Sequence, residues 1–273
     1  MVYITRLSDP RIEMVADVPQ SSIRDFFADL ADASASLVTV NRTRPEPVRD
    51  LLADAFATQS VELSERTLPT DGDDLLALRK DGEIAAISSL DRVMQSYLLV
   101  NADQFRTSTR AFDDDVPAVL TNLDETLFDL RGYPASNKEK LLLVLISRHI
   151  ERMAYEAGEG TIRSTFQRLS RLVDEFGTRQ VYERLSGRTL DVHVYGVPDE
   201  SPTWLDATIH RGTSDEYRNS WCVVYRPANG ATADGPRSAA LVANQYEPNR
   251  WRGFWTYDPE RVARIDDYLE RAF

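Results

Sequence analysis

The sequence predicts an α+β protein, with an antiparallel sheet flanked by helices in the C-terminal half and a mixed α/β N-terminal region. A long apolar-faced helix is indicated at 137–157, and several β-prone segments follow between 191 and 257. A last amphipathic helix begins behind Asp258-Pro259. Consecutive strands between helices favour the α+β class, and 273 residues with 42% hydrophobic content suffice for a core.

The N-terminal region alternates helical and extended patterns. Ser22 with Asp25 is a capping signal, and apolar residues follow it at helical spacing. Asp81-Gly82 predicts a β-hairpin because glycine accepts the positive φ of a tight turn. The remaining patterns predict a helix at 23–33, a strand at 37–40, a helix after Pro45 with an apolar face over 48–56, a strand at 61–65 and a helix at 90–99.

Polar residues from 101 to 116 indicate a linker, so the predicted regions are 1–112 and 113–273. The run Asp113-Asp114-Asp115 within it is a solvated acidic loop, because adjacent side chains point in different directions and repeat no ligand spacing.

The C-terminal half carries the sharper signals. Ser136 and Glu139 form a capping box, and Gly158 ends the helix that they begin. A change from alternating to helical periodicity falls near Gln167. The predicted elements after it are a helix at 178–186, strands at 191–197, 221–226, 239–246 and 251–257, and a helix after Asp258.

The composition indicates a soluble cytoplasmic protein. The chain has a formal net charge of −12 and few lysines, which is typical of proteins from salt-loving organisms; a preference of GC-rich codons for arginine is the alternative. A single cysteine, Cys222, excludes an internal disulfide and a cysteine-based metal site. The first residues lack the apolar core of a signal peptide.

Several segments in a fixed order resemble the DICT family of sensory domains, most specifically from about residue 138 onward. They are LISRHIE (145–151), TFQRLSR (165–171), RQVYERL (179–185), VHVYGVPD, SWCVVYRP, AALVANQ and RGFWTYDP. The resemblance implies a non-catalytic input module for an undefined signal, and the N-terminal region is similar to the extension of stand-alone halophilic archaeal forms. No diguanylate cyclase, kinase, receiver or helix-turn-helix signature accompanies it.

A ligand or partner surface is predicted where polar and aromatic residues fall within these segments. A guanidinium held by a carboxylate offers a fixed fork of donors to an anionic group, although a structural ion pair is the alternative. The predicted surface residues are Arg148, Glu151, Gln167, Arg168, Tyr182, Trp221 and Trp255. A packed core is the alternative for the tryptophans of the last strand.

No catalytic or metal set is predicted. His149, His193 and His210 lack paired ligand spacing and are expected to be structural. Cys222 lies in an apolar strand and is expected to be inert. The cofactor is unknown, and the predicted partners are a small ligand, a signalling protein or both, without a membrane.

The alternative function is a transcription-associated regulator that contacts nucleic acid. The segment 138–188 holds ten basic and seven acidic residues within an otherwise acidic chain. Phosphate binding needs such a cationic patch, but strong acidity elsewhere favours a protein partner.

Overall fold

The computed structural model describes residues 21–28, 30, 35–43, 50, 56, 61–69, 74–98, 109–131, 138–230 and 235–273. Within these ranges the strands are β1 (Ala35–Val40), β2 (Val61–Arg66), β3 (Leu75–Lys80), β4 (Glu83–Ser89), β5 (Phe128–Arg131), β6 (Glu159–Arg168), β7 (Thr189–Val197), β8 (Thr208–Arg211), β9 (Ser220–Arg226), β10 (Ala239–Glu247) and β11 (Arg250–Thr256). The helices are α1 (Asp25–Ala28), α2 (Leu90–Val93), α3 (Arg110–Asp113), α4 (Ala118–Thr121), α5 (Lys138–Ala157), α6 (Ser170–Asp174), α7 (Phe176–Ser186), α8 (Asp215–Asn219) and α9 (Pro259–Ala272).

Four strands of the N-terminal region form one sheet in the order β2-β1-β3-β4. β1 pairs with β2 in parallel, and the other two pairings are antiparallel. Asp81 and Gly82 form the turn between β3 and β4 with φ of 51° and 87°, which confirms the predicted hairpin. α2 continues as a π-helical turn at Met94–Leu98.

The second sheet has seven strands in the order β5-β11-β10-β9-β6-β7-β8. Pairings from β5 to β6 are antiparallel, whereas β6, β7 and β8 run parallel to one another. The prediction of an α+β fold is therefore confirmed, but the purely antiparallel sheet was wrong. α6 and α7 lie between β6 and β7 in the chain, and a helical crossover of this length allows parallel pairing.

Helices cover both faces of the seven-stranded sheet. α5 and α7 lie on one face, where Ile146, Tyr182 and Leu241 join a large apolar cluster. α9 lies on the other, where Ile265 and Leu269 pack on the side chains that alternate with those of the first face. The sheet is thus buried on two sides, and its polar side chains must find partners within the protein.

Close backbone approach requires glycine at the start of β6. Gly160 has a φ of +111°, and a Cβ placed on it would lie 2.2 Å from the carbonyl oxygen of Arg226 in β9. A side chain here would force β6 and β9 apart.

The predicted elements of the C-terminal half agree closely with the structure. α5 spans Lys138–Ala157 against the predicted 137–157, and β6 gives way to α6 just after Gln167. α9 begins as predicted, with the Asp258 carboxylate accepting the backbone N–H of Glu260. The strands β5 and β8 and the short helices α4 and α8 were not predicted, since none carries a repeated apolar period.

Several N-terminal predictions fall only partly on described residues. The predicted helix at 23–33 corresponds to α1 at Asp25–Ala28, and β1 and β2 lie where strands were predicted. Most of the helix after Pro45, most of the 101–116 linker and the Ser136 capping box lie outside the described residues; of that helix only residues 50 and 56 are described, and both are helical. α3 occupies Arg110–Asp113, within the predicted linker.

Candidate functional site

α5, α7 and β6 enclose a buried cluster of polar side chains, which we call the Arg148 cluster (Arg148, Glu151, Ser164, Thr178 and Tyr182). Arg148 and Glu151 lie one helical turn apart, with Nη1 and Oε2 separated by 2.5 Å. Their exposed fractions are only 5% and 2%. Buried charges of this kind require pairing, and this pair supplies it.

The cluster joins three elements through hydrogen bonds. Arg148 Nη2 donates to Thr178 Oγ1 of α7 at 2.7 Å. The Tyr182 hydroxyl lies 3.2 Å from Glu151 Oε1 and 2.5 Å from Ser164 Oγ of β6. α7 is therefore held to both α5 and β6 by polar contacts inside the apolar layer.

One donor of the cluster has no hydrogen-bond partner among the described residues: Nε of Arg148. A buried unsatisfied donor costs about 1–3 kcal/mol, more when it is charged. Such exceptions to satisfied burial are rare in native proteins, and Nε can still donate to an acceptor brought by another molecule.

Burial also shifts the pKa values of two groups in this cluster, the Glu151 carboxyl and the Tyr182 hydroxyl. It raises the pKa of the Glu151 carboxyl, against the opposing effect of the Arg148 guanidinium. Burial and then the Glu151 charge raise the pKa of Tyr182 well above its ordinary value. This shift favours the neutral form of the tyrosine, which bonds Glu151 and Ser164 through its hydroxyl.

Of the predicted surface residues, Arg148, Glu151 and Tyr182 are brought together, and Trp221 lies beside them. Trp221 Nε1 donates to Ser147 Oγ at 3.1 Å, next to Arg148 on α5. Its ring contacts Trp251 edge-on.

The other three predicted residues lie apart from the Arg148 cluster. Gln167 Nε2 donates to the carbonyl oxygen of Ser220 at 2.7 Å, which ties the end of β6 to β9. Arg168 has a side chain 67% exposed and lies 3.7 Å from Asp199. Trp255 is fully buried, stacks on Phe128 and donates its indole N–H to the carbonyl oxygen of Thr121, in agreement with core packing.

Sequence reasoning missed Ser164 and Thr178 of the cluster, and it missed a second buried ion pair on the opposite face. Arg163 Nε lies 2.8 Å from Asp266 Oδ1, and Arg163 Nη1 donates to the Tyr195 hydroxyl at 2.9 Å. The detectable signal was Asp266, a carboxylate on the apolar face of a helix between Ile265 and Leu269.

Two further residues considered from the sequence, Cys222 and His149, have pKa values shifted by burial. Cys222 is fully buried in β9, which confirms the predicted core packing, and burial raises the pKa of its thiol to about 12. Burial, then the charges of Arg152 and Arg237, lower the pKa of His149 to about 4. In the described part of the chain, no three His, Cys, Asp or Glu side chains are grouped to hold a metal ion.

The basic segment 138–188 presents little unbalanced charge. Arg152, Arg171 and Arg179 each pair with a glutamate four residues on, and Arg184 lies 2.6 Å from Asp113. The guanidinium of Arg188 lies over the Tyr155 ring. These contacts reduce the positive potential that a nucleic acid would meet.

With this geometry established, comparison with known proteins adds an independent observation. Residues 117–243 match the DICT family model. This family is described as a sensory domain in diguanylate cyclases and two-component systems. The DICT match covers a little under half of the chain and contains the whole Arg148 cluster, so the cluster lies in a segment that is similar to sensory domains of signalling proteins.

The comparisons with curated proteins and with solved structures add little to the DICT match. None of the curated proteins compared with the chain matches it. Among solved structures, the polyphosphate kinase from Porphyromonas gingivalis is similar at a TM-score of 0.34 and 12% identity, covering 91% of this chain and 44% of that one. Over the described residues, no helix combines the length and apolarity needed to span a bilayer.

Proposed function

We propose that this chain is a cytoplasmic signal-input module without catalysis of its own, in which residues 113–273 form the sensory unit and 1–112 an accessory region. The match of residues 117–243 to a sensory family supports the input role. The signal is the binding of a small ligand or a signalling protein, and the Arg148 cluster is where binding changes the structure.

The observation that carries this proposal is the buried Arg148–Glu151 pair with its unsatisfied Nε. Buried ion pairs contribute little net stability, and in some proteins they are retained for switching. A ligand or partner with an acceptor group would bond the guanidinium and compete with Glu151. Because Thr178 and Tyr182 of α7 bond the same pair, that competition would move α7 against α5.

The predicted surface residues have separate roles in this proposal. Trp221 holds β9 to α5 through Ser147, the residue before Arg148, and Gln167 ties the end of β6 to β9. Arg168 is exposed and suits an outer contact with a partner, whereas Trp255 supports the fold.

The test compares Arg148→Lys with Arg271→Lys, the same substitution at an exposed residue of α9. The small-molecule fraction of an extract from the protein's own cells is added to each purified chain, and native mass spectrometry and thermal melts record binding. We expect wild type and Arg271→Lys to retain the same small molecule. Arg148→Lys keeps the charge but loses the fork of donors, and we expect it to bind that molecule at least tenfold more weakly.

A folded Arg148→Lys variant that binds like wild type would remove the cluster from the proposed function. Circular dichroism spectra of both variants check that the comparison is made between folded proteins.

A further inference from the structure

Two of the three histidines meet at the edge of the seven-stranded sheet. His193 of β7 and His210 of β8 bring Nδ1 and Nε2 to 3.0 Å. Their rings lie 5.3 Å apart between centroids at 19°. Both side chains are only partly buried, so the pair lies near the surface of the protein.

A carboxylate fixes the protonation of the first ring. Asp191 Oδ2 lies 2.9 Å from His193 Nε2 and therefore accepts its proton in the neutral imidazole. The lone pair is then left on Nδ1, the nitrogen that faces His210. A carboxylate that bonds the outer nitrogen of a histidine is the usual arrangement behind metal-binding imidazoles.

The second ring is also held in place. Tyr195 stacks on His210 at 4.2 Å between centroids and 11° between planes. The Tyr195 hydroxyl in turn accepts a hydrogen bond from the buried Arg163. Both imidazoles are therefore positioned before any ion arrives, which lowers the cost of ordering them on binding.

We propose that His193 and His210 bind one late transition-metal ion, Cu²⁺ or Ni²⁺, through Nδ1 and Nε2. Metal–nitrogen bonds of about 2.05 Å place two ligands about 2.9 Å apart at a right angle and about 3.3 Å apart in a tetrahedron. The observed 3.0 Å fits the right angle of tetragonal Cu²⁺ and Ni²⁺ sites. Cu²⁺ binds most tightly, since it has the highest affinity of the first-row divalent ions for imidazole.

The charge around the histidine pair is mixed. Arg163 and Glu270, which form an ion pair at 3.4 Å, both act on His210. Asp191 bonds the outer nitrogen of His193, so its negative charge lies behind the nitrogen that would bind a cation. The protein supplies two nitrogen ligands to the metal ion, and water or another ligand would fill the remaining coordination positions. This site is separate from the Arg148 cluster and goes beyond the proposed function.

The experiment is a Cu²⁺ titration of the full-length, untagged chain, followed by calorimetry and electron paramagnetic resonance. We expect one Cu²⁺ per chain, with a spectrum of two coordinated imidazole nitrogens. His193→Gln and His210→Gln should each weaken binding at least 100-fold. Asp191→Asn should weaken it about tenfold to 100-fold, as expected for a group behind the ligand.

Asp206→Asn is the matched control, because it removes the same charge from an exposed residue near β8 and should bind Cu²⁺ like wild type. Circular dichroism melts check the fold of each variant, and Asp191→Asn keeps both donors if a histidine variant fails to fold. The proposal is overturned if wild type shows no imidazole-bound Cu²⁺, or if the folded variants bind as wild type does. Either result would mean that His193 Nδ1 and His210 Nε2 form a hydrogen bond to each other and do not bind a metal ion.

Discussion

His149 makes the stability of the protein sensitive to mild acid. Its ring is largely buried in α5, edge-on to Tyr257, and faces the positive charges of Arg152 and Arg237. Burial is the main cause that lowers its pKa from 6.5 to about 4. Glu156 and Asp115 oppose the shift but do not cancel it.

The direction and size of the change in unfolding free energy with pH follow from proton binding at His149. The unfolded chain binds a proton at His149 near pH 6.5 and the folded chain near pH 4, so this contribution is fully present above pH 6.5 and is lost as pH falls toward 4. At about 1.4 kcal/mol per pKa unit, the free energy of unfolding drops by about 2 kcal/mol between pH 8 and pH 5.

Urea unfolding of wild type and His149→Gln at half-unit steps from pH 8 to pH 5 measures this loss. Glutamine does not titrate, so the difference between the two proteins isolates His149 from the carboxylates. We expect that difference to change by about 2 kcal/mol across the range. A difference that stays constant to within 0.5 kcal/mol (about a quarter of the expected change) would show that His149 is not buried as a neutral ring.

Three further perturbations test the packing and the charge. Arg148→Met should lower the free energy of unfolding by about 3–5 kcal/mol, because Glu151 is left buried without its partner, and Arg148→Met/Glu151→Met should recover most of it in urea melts. Gly160→Ala should cost about 3 kcal/mol against about 1 kcal/mol for Gly158→Ala, whose Cβ meets no atom within 4 Å; equal costs would contradict the close approach to β9. The unfolding free energy of the whole chain, with its net charge of −12, should rise from 0.1 M to 2 M KCl, and an unchanged melt would remove the inference of salt adaptation.

Sequence patterns predicted the long elements because these have one buried face. α5 and α9 carry apolar residues at helical spacing; α5 begins and ends close to the predicted residues, and α9 begins where predicted. β9 and β10 are apolar on both faces, which reveals a strand but not the direction of its neighbours. The parallel pairing of β6 with β7 therefore could not be read from periodicity.

The local contacts of the candidate site could be predicted from the sequence, whereas its long-range contacts could not. Arg148 and Glu151 are neighbours on one helix, so their contact follows from spacing of three residues. Tyr182 was included through the family resemblance, and its contact with Ser164 depends on how α7 packs on β6. Long-range contacts such as that between Arg163 and Asp266 depend on the tertiary fold, which a single sequence does not specify by local pattern.

β6 is an interior strand of the seven-stranded sheet, and two adjacent polar residues on it link the helices of both faces. Arg163 and Ser164 share a peptide bond but point through opposite faces of the sheet, the first to Asp266 of α9 and the second to Tyr182 of α7. Neither contact can be displaced far without bending the backbone that carries the other. We therefore expect a displacement of α7 on one face of the sheet to be felt by α9 on the other face, through two adjacent residues of β6.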